Sequence, residues 1–189
     1  AKDTMRLAQQ LYEGMDLGQH GSGGLITYMR TDSVNMAAKF VDEARAFVET
    51  TYGKKFVSAE TRKFANKSKG AQEAHEAIRP TDPTRTPEMI EPYVTPQQHK
   101  LYALIWKRAV ATQMTDAALN RTTLDIDAST GHVFRATGQS MVSPGWLTLY
   151  PEAIKEEMLP ELKAGATLDC HDLKPDQHGG ESKPVGQND

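Results

Sequence analysis

One cysteine, Cys170, is all the chain contains. An internal disulfide is impossible, and so is a zinc site built from four cysteines. A reducing compartment, the cytoplasm, is therefore the expected setting. No apolar run reaches the roughly 20 residues that span a bilayer, and no signal-peptide pattern is read at the start, so no membrane partner is expected. The glycine-rich stretch 18–24 lacks the Gly-Lys-Ser/Thr ending of a phosphate-binding loop, which argues against a nucleotide site. An excess of positive charge is also missing. A net charge of −3 argues against a protein that coats nucleic acid indiscriminately. No internal repeat is visible.

The 189 residues, 38% hydrophobic and 25% charged, suffice for one compact domain or two small ones. Charge is unevenly spread. Lys54, Lys55, Arg62, Lys63, Lys67 and Lys69 form a basic stretch opposed only by Glu60. It reads equally as a solvated loop or as a rim facing phosphates. The far end is acidic, with Glu152, Glu156, Glu157, Glu161, Asp169, Asp172 and Asp176.

Local signals divide the chain into helical and β parts. Asp3 or Thr4 can cap a helix through Tyr12, with Gly14 as its stop. Asp32 or Ser33 can cap a longer one to about Tyr52, stopped by Gly53. Val34, Ala37, Val41, Ala44 and Val48 would give it an apolar face, and its first-turn N–H groups would lie beside Arg30. A short helix is predicted over Ala71 to Ile78, ended by Pro80, and an irregular stretch over Thr81 to Pro92. Thr95, Pro96 and Gln98 announce another helix, whose buried side is read as Leu101, Leu104, Ile105, Ala109 and Thr112. Strands are predicted at Thr122–Asp127, His132–Thr137, Trp146–Leu149 and Ala166–Leu173, separated by glycine-containing turns. The expected class is α+β: a helical domain over 1–115, a β-rich segment over 116–178, and a disordered or truncated tail over 179–189.

Chemistry concentrates in Leu25-Ile26-Thr27-Tyr28-Met29-Arg30-Thr31-Asp32-Ser33. In an extended stretch Tyr28 and Arg30 share a side, and both could face one phosphate. The plainer reading is a strand leading into a helix, with Arg30 in a surface ion pair to Asp32. A second string, Gln72-Glu73-Ala74-His75-Glu76-Ala77-Ile78-Arg79-Pro80, sets a histidine between two carboxylates. His75-Glu76 could open a zinc-peptidase motif, but Arg79 stands where its second histidine is needed. Read without further context, His75 is better explained by a structural role. With Leu11-Tyr12-Glu13-Gly14 and Leu104-Ile105-Trp106-Lys107-Arg108, these strings resemble the type IA DNA topoisomerases. The likeness runs from the first residues to about Lys174. Met29 stands where topoisomerase III enzymes tend to carry proline, so the bacterial topoisomerase I group is the nearer likeness, with reverse gyrase an alternative.

The resemblance implies that Tyr28 is the nucleophile, cutting one strand of negatively supercoiled DNA and holding its 5′ end as a phosphotyrosyl ester. The freed hydroxyl later attacks that bond, so no ATP is needed. A phenol with pKa near 10 is ionised only about one time in a thousand at pH 7, a deficit of roughly 4 kcal/mol that neighbouring positive charge can offset. Arg30 is the candidate, because its planar fork can bind two phosphate oxygens. His75 is implied to contact the scissile phosphate region. Arg79 either contacts DNA or braces the site through Glu76. Magnesium is implied for the intact enzyme on an acidic domain absent from this stretch, and no cofactor is expected here. The family's Asp-x-Asp-x-Glu cluster is matched by Asp125-Ile126-Asp127 only in part, since Ser129 holds the fifth place; a solvated strand face is expected instead. DNA, chiefly single-stranded, and missing parts of the same polypeptide are the expected partners of a monomer that does not relax DNA by itself. The chief alternative is a non-catalytic DNA-binding module of helix-turn-helix type; a third reading is a purely structural or partner-docking domain.

Overall fold

Lys2–Glu13 forms helix α1, with Asp3 and Thr4 inside its first turn and not at its cap, and Gly14 ends it as expected with φ +97° in a computed structural model that describes residues 2–62, 64, 75–153 and 156–174. A glycine is required there, because a Cβ on Gly14 would fall 2.5 Å from the carbonyl carbon of Gly23. Strands β1 (Met15–Asp16) and β2 (Ser22–Gly23) make a small antiparallel hairpin over the glycine-rich stretch. Buried Leu17 and Leu25 anchor its two ends.

Helix α2 spans Ala38–Tyr52 and stops at Gly53. Its start is later than Asp32 or Ser33, for a tertiary reason. The Asn35 carbonyl accepts from Ala77 N–H at 2.7 Å, and Ser33 Oγ accepts from Asn35 N–H at 3.2 Å. Those contacts occupy groups that a helix would need. Val34 is consequently exposed, and Phe40, Val41, Ala44 and Val48 form the buried face. The expectation of helical N–H groups immediately after Arg30 loses its basis.

The four-residue helix α3 (Pro87–Ile90) interrupts the proline-punctuated stretch, and α4 spans Pro96–Ala111. Thr95 and Gln98 form the reciprocal capping box read from the sequence. Thr95→Ala is expected to cost about 1 kcal/mol, measured by the urea midpoint. The buried side of α4 matches expectation in part: Ala109 is buried and Leu101 and Ile105 pack against the core, but Leu104 is exposed and Tyr102, Trp106 and Val110 face inward. Polar tips explain the rotation. Tyr102 Oη donates to the Arg85 carbonyl at 2.6 Å, and Trp106 Nε1 donates to the Pro83 carbonyl at 2.9 Å. Burial, the largest influence on Tyr102, raises its pKa and keeps that donor proton in place. Both rings therefore sit in the core while fastening the 81–87 stretch to the helix. Around them gather Leu11, Leu17, Leu25, Ile26, Val48, Ile90, Val110 and Met114.

Strands β3 (Ala118–Asp127) and β4 (Val133–Ser143) pair antiparallel, with Asp125 opposite Arg135 and a bulge between Ala118 and Leu119. They lengthen the two predicted strands. Glu157 adds a short bridge to Gln139. Trp146–Leu149 is not a strand: Gly145–Leu149 is a 3₁₀ helix, begun when Leu147 N–H donates to the Pro144 carbonyl at 2.8 Å. Buried Leu147 and Leu149, two apart, imitate strand alternation in the sequence. The described residues up to Leu159 form one compact unit and those from Pro160 onward belong to another. In the second, the described residues 160–174 contain a turn at Gly165 and no strand, so Ala166–Leu173 lacks the neighbouring strand that stability requires. The tail over 179–189, residues 71–74 of the predicted short helix, and Lys63, Lys67 and Lys69 lie outside the described residues. Residues 75–78 are not helical. No helix among the described residues is long and apolar enough to cross a membrane.

Candidate active site

The two chemical strings, far apart in sequence, are stitched side by side. Leu25 N–H donates to the Leu11 carbonyl at 2.8 Å, tying the first string to the end of α1. On its other side, Thr27 N–H donates to the Arg79 carbonyl at 2.9 Å and Thr81 N–H donates to the Leu25 carbonyl at 3.0 Å. Thr27 Oγ1 completes the seam by donating to the Ala77 carbonyl at 2.7 Å and accepting from Arg79 N–H at 3.0 Å. Residues 25–27 are thus held from both sides, and Tyr28 is the first beyond that grip.

Tyr28 is 52% exposed. With Tyr12, Glu13, Thr27, His75 and Glu76 it lines a cavity of about 650 Å³. This contrasts with Tyr102, whose hydroxyl is buried and already committed. The chain is not extended through Arg30. Arg30 N–H turns back to the Tyr28 carbonyl at 2.9 Å, closing a tight turn around buried Met29. Alternation along a strand therefore does not describe how Tyr28 and Arg30 are related. Arg30 Nε pairs with Asp32 Oδ2 at 2.7 Å, the ion pair that the plainer reading anticipated. Its fork has no other partner among the described residues.

His75 lines the cavity, and its Nδ1 is a buried atom with no hydrogen-bond partner among the described residues. Glu73, the other carboxylate beside it in sequence, lies outside them. Arg79 is engaged on every side. Its Nε donates to Glu76 Oε2 at 2.8 Å, its Nη2 also meets that oxygen, and Nη1 donates to the Pro80 carbonyl at 2.9 Å. The guanidinium carbon lies 4.5 Å from the centre of the Phe40 ring. Of the two roles open in the sequence, bracing is the one this geometry supports. Tyr12 and Glu13 are cavity residues to which the sequence gave no role. Their place in Leu11-Tyr12-Glu13-Gly14, one of the strings that carry the resemblance, is the signal that could have found them.

Of the basic stretch, Arg62 is paired with Asp116 at 2.7 Å and Lys55 lies over the Phe56 ring. Magnesium does not fit the acidic residues at hand. Asp125 is held by both Nε and Nη2 of Arg135, at 2.7 and 3.0 Å, and among the described residues no three carboxylates, histidines or cysteines converge. The guanidinium holds the Asp125 carboxyl below its usual pKa. Asp125 and Asp127 lie on the exposed face of β3, as expected. Among the described residues no two long helices are joined by the short turn that a helix-turn-helix needs (Glu13 to Ala38, Tyr52 to Pro96).

The family described as DNA topoisomerase matches residues 1–186. The chain belongs to this family. It is 44% identical over 186 residues to DNA topoisomerase 1 of Xylella fastidiosa strain 9a5c, covering 94% of this chain and 23% of that protein. The same enzyme from strain Temecula1 / ATCC 700964 gives the same identity and coverage. Full-length topoisomerase I from Thermotoga maritima, a solved structure, aligns with a TM-score of 0.70 at 32% identity, over 86% of this chain and 25% of that one. The likeness to bacterial topoisomerase I and the α+β class are both borne out. The chain spans about a quarter of the length of these relatives.

Proposed function

We propose that this chain is the nucleophile-bearing part of a type IA topoisomerase, in which Tyr28 carries the cleaved DNA strand. The observation that supports it most is the half-exposed Tyr28 at a cavity shared with His75, held by a seam between the two strings. The phenolate oxygen attacks phosphorus, the 3′ oxygen of the strand departs, and a 5′-phosphotyrosyl ester remains. Reversal by the 3′ hydroxyl releases the tyrosine, conserving bond energy without ATP. Relaxation of negative supercoils follows when another strand passes before resealing.

Arg30 serves the phosphate. Asp32 steadies it through Nε, which leaves the two terminal nitrogens of the fork for phosphate oxygens and the charge that builds on them. Arg30→Ala is expected to slow cleavage about 10- to 100-fold, the worth of a charge-assisted hydrogen bond, as read by single-turnover adduct formation. His75, which lines the same cavity as Tyr28, serves the scissile phosphate region. Magnesium is assigned to the acidic domain that the resemblance implies elsewhere in the polypeptide, and no step here passes through it. The substrate is single-stranded DNA in the cytoplasmic nucleoid, bound by a monomer whose other parts complete the groove; this chain by itself does not relax DNA.

The decisive test denatures the complete polypeptide during turnover on a single-stranded oligonucleotide and maps the adduct by mass spectrometry. The nucleotide is expected on Tyr28; any other side chain carrying it overturns the proposal.

A further inference from the structure

We infer that Tyr12 is a positioning residue for the nucleophile: its ring, carried on the confined backbone at the end of α1, limits the swing of the Tyr28 ring and keeps the phenol oxygen at the cavity. This rests on the reading of Tyr28 as the attacking group.

A half-exposed tyrosine is poorly restrained by packing, and rotation about its side-chain bonds moves the hydroxyl by several ångströms. Nucleophilic attack tolerates far less displacement. What meets the Tyr28 ring is Tyr12, with centroids 5.3 Å apart and planes at 66°, an edge-to-face arrangement. Tyr12 is suited to act as a stop because its backbone has little room to move. A Cβ on Gly24 would fall 2.5 Å from the Tyr12 carbonyl oxygen, so the returning chain lies directly against it. The preceding Leu11 is fully buried, and its carbonyl holds Leu25 N–H at 2.8 Å. The same contact that fixes Tyr12 therefore fixes the start of the Tyr28 segment. The two rings ride on one local frame, and both line the cavity that His75 enters.

The ring, and not its hydroxyl, is what matters. In the complete polypeptide Tyr12→Phe is expected to cleave within about twofold of the parent, and Tyr12→Ala about tenfold more slowly, in line with the worth of an edge-to-face pair. Tyr12 is 40% exposed, so truncation leaves no large buried hole. Cleavage is measured in single turnover with saturating single-stranded oligonucleotide, and affinity separately by fluorescence anisotropy, where the Kd is expected to stay within about twofold. Weaker binding with an unchanged rate for bound DNA would overturn the inference and make Tyr12 a platform for a base. An unchanged rate with unchanged binding overturns it as well. A second measurement does not depend on catalysis: 3-fluorotyrosine at position 28 is followed by ¹⁹F NMR. Its line is expected to narrow and move toward that of the free amino acid in Tyr12→Ala, and an unaltered line would refute the inference even if cleavage fell. Adduct formation that survives Tyr28→Phe would instead dispose of the underlying functional reading, while the ¹⁹F result still judges the ring contact.

Discussion

Tyr28→Phe, introduced into the complete polypeptide, is expected to abolish the covalent DNA adduct and to lower supercoil relaxation by about four orders of magnitude or more, as removal of a sole nucleophile does. The substitution removes one oxygen and leaves the ring. Edge-to-face contact with Tyr12 is preserved, and the seam through Thr27 does not involve the phenol. Thermal stability should therefore stay within about 0.5 kcal/mol of the parent, as for most exposed substitutions. Loss of activity without loss of fold is what separates a chemical role from a structural one. A variant that still traps DNA covalently would show that another side chain performs the attack.

Arg79→Ala is expected to be the most damaging of the structural changes, lowering stability by about 3 kcal/mol in urea unfolding, because breaking a largely buried pair leaves its partner uncompensated. The Arg79 side chain is only 11% exposed, against 35% for Glu76, so part of the penalty on the glutamate is relieved by water. Three further contacts go with the guanidinium: the hydrogen bond to Pro80, the face of Phe40, and through Phe40 the first turn of α2. His75 stands on the same short segment, so DNA cleavage by the complete polypeptide should fall as well. Arg79→Lys should recover little, since a lysine cannot reach Glu76 and Pro80 with a planar fork. If Arg79→Ala unfolds at the same urea concentration as the parent, the bracing role is wrong.

The sequence was most readable where structure is local. The capping box at Thr95 and Gln98 depends on four consecutive residues, and the stop at Gly14 on one; both stand as predicted. It was least readable where a distant partner decides. Nothing near Asn35 announces that Ala77 will claim its carbonyl and delay α2. Tyr102 and Trp106 were not read as core residues; distant carbonyls at Arg85 and Pro83 accept their polar tips and make that burial possible. Within the candidate site, Tyr28, Arg30, His75 and Arg79 were named from strings that resemble a family; no spacing rule places residues 25–27 against 77–81. Tyr12 stood in a string that resembles the family but was given no role, since its contact with Tyr28 exists only once the chain returns to meet it.

That return has a consequence for insertions. Because Leu11 and Leu25 are joined directly, the hairpin between them hangs from a closed neck. Leu17 is held in the core, so residues added to the turn beyond it would lengthen the loop while leaving intact the neck that carries the Tyr28 segment.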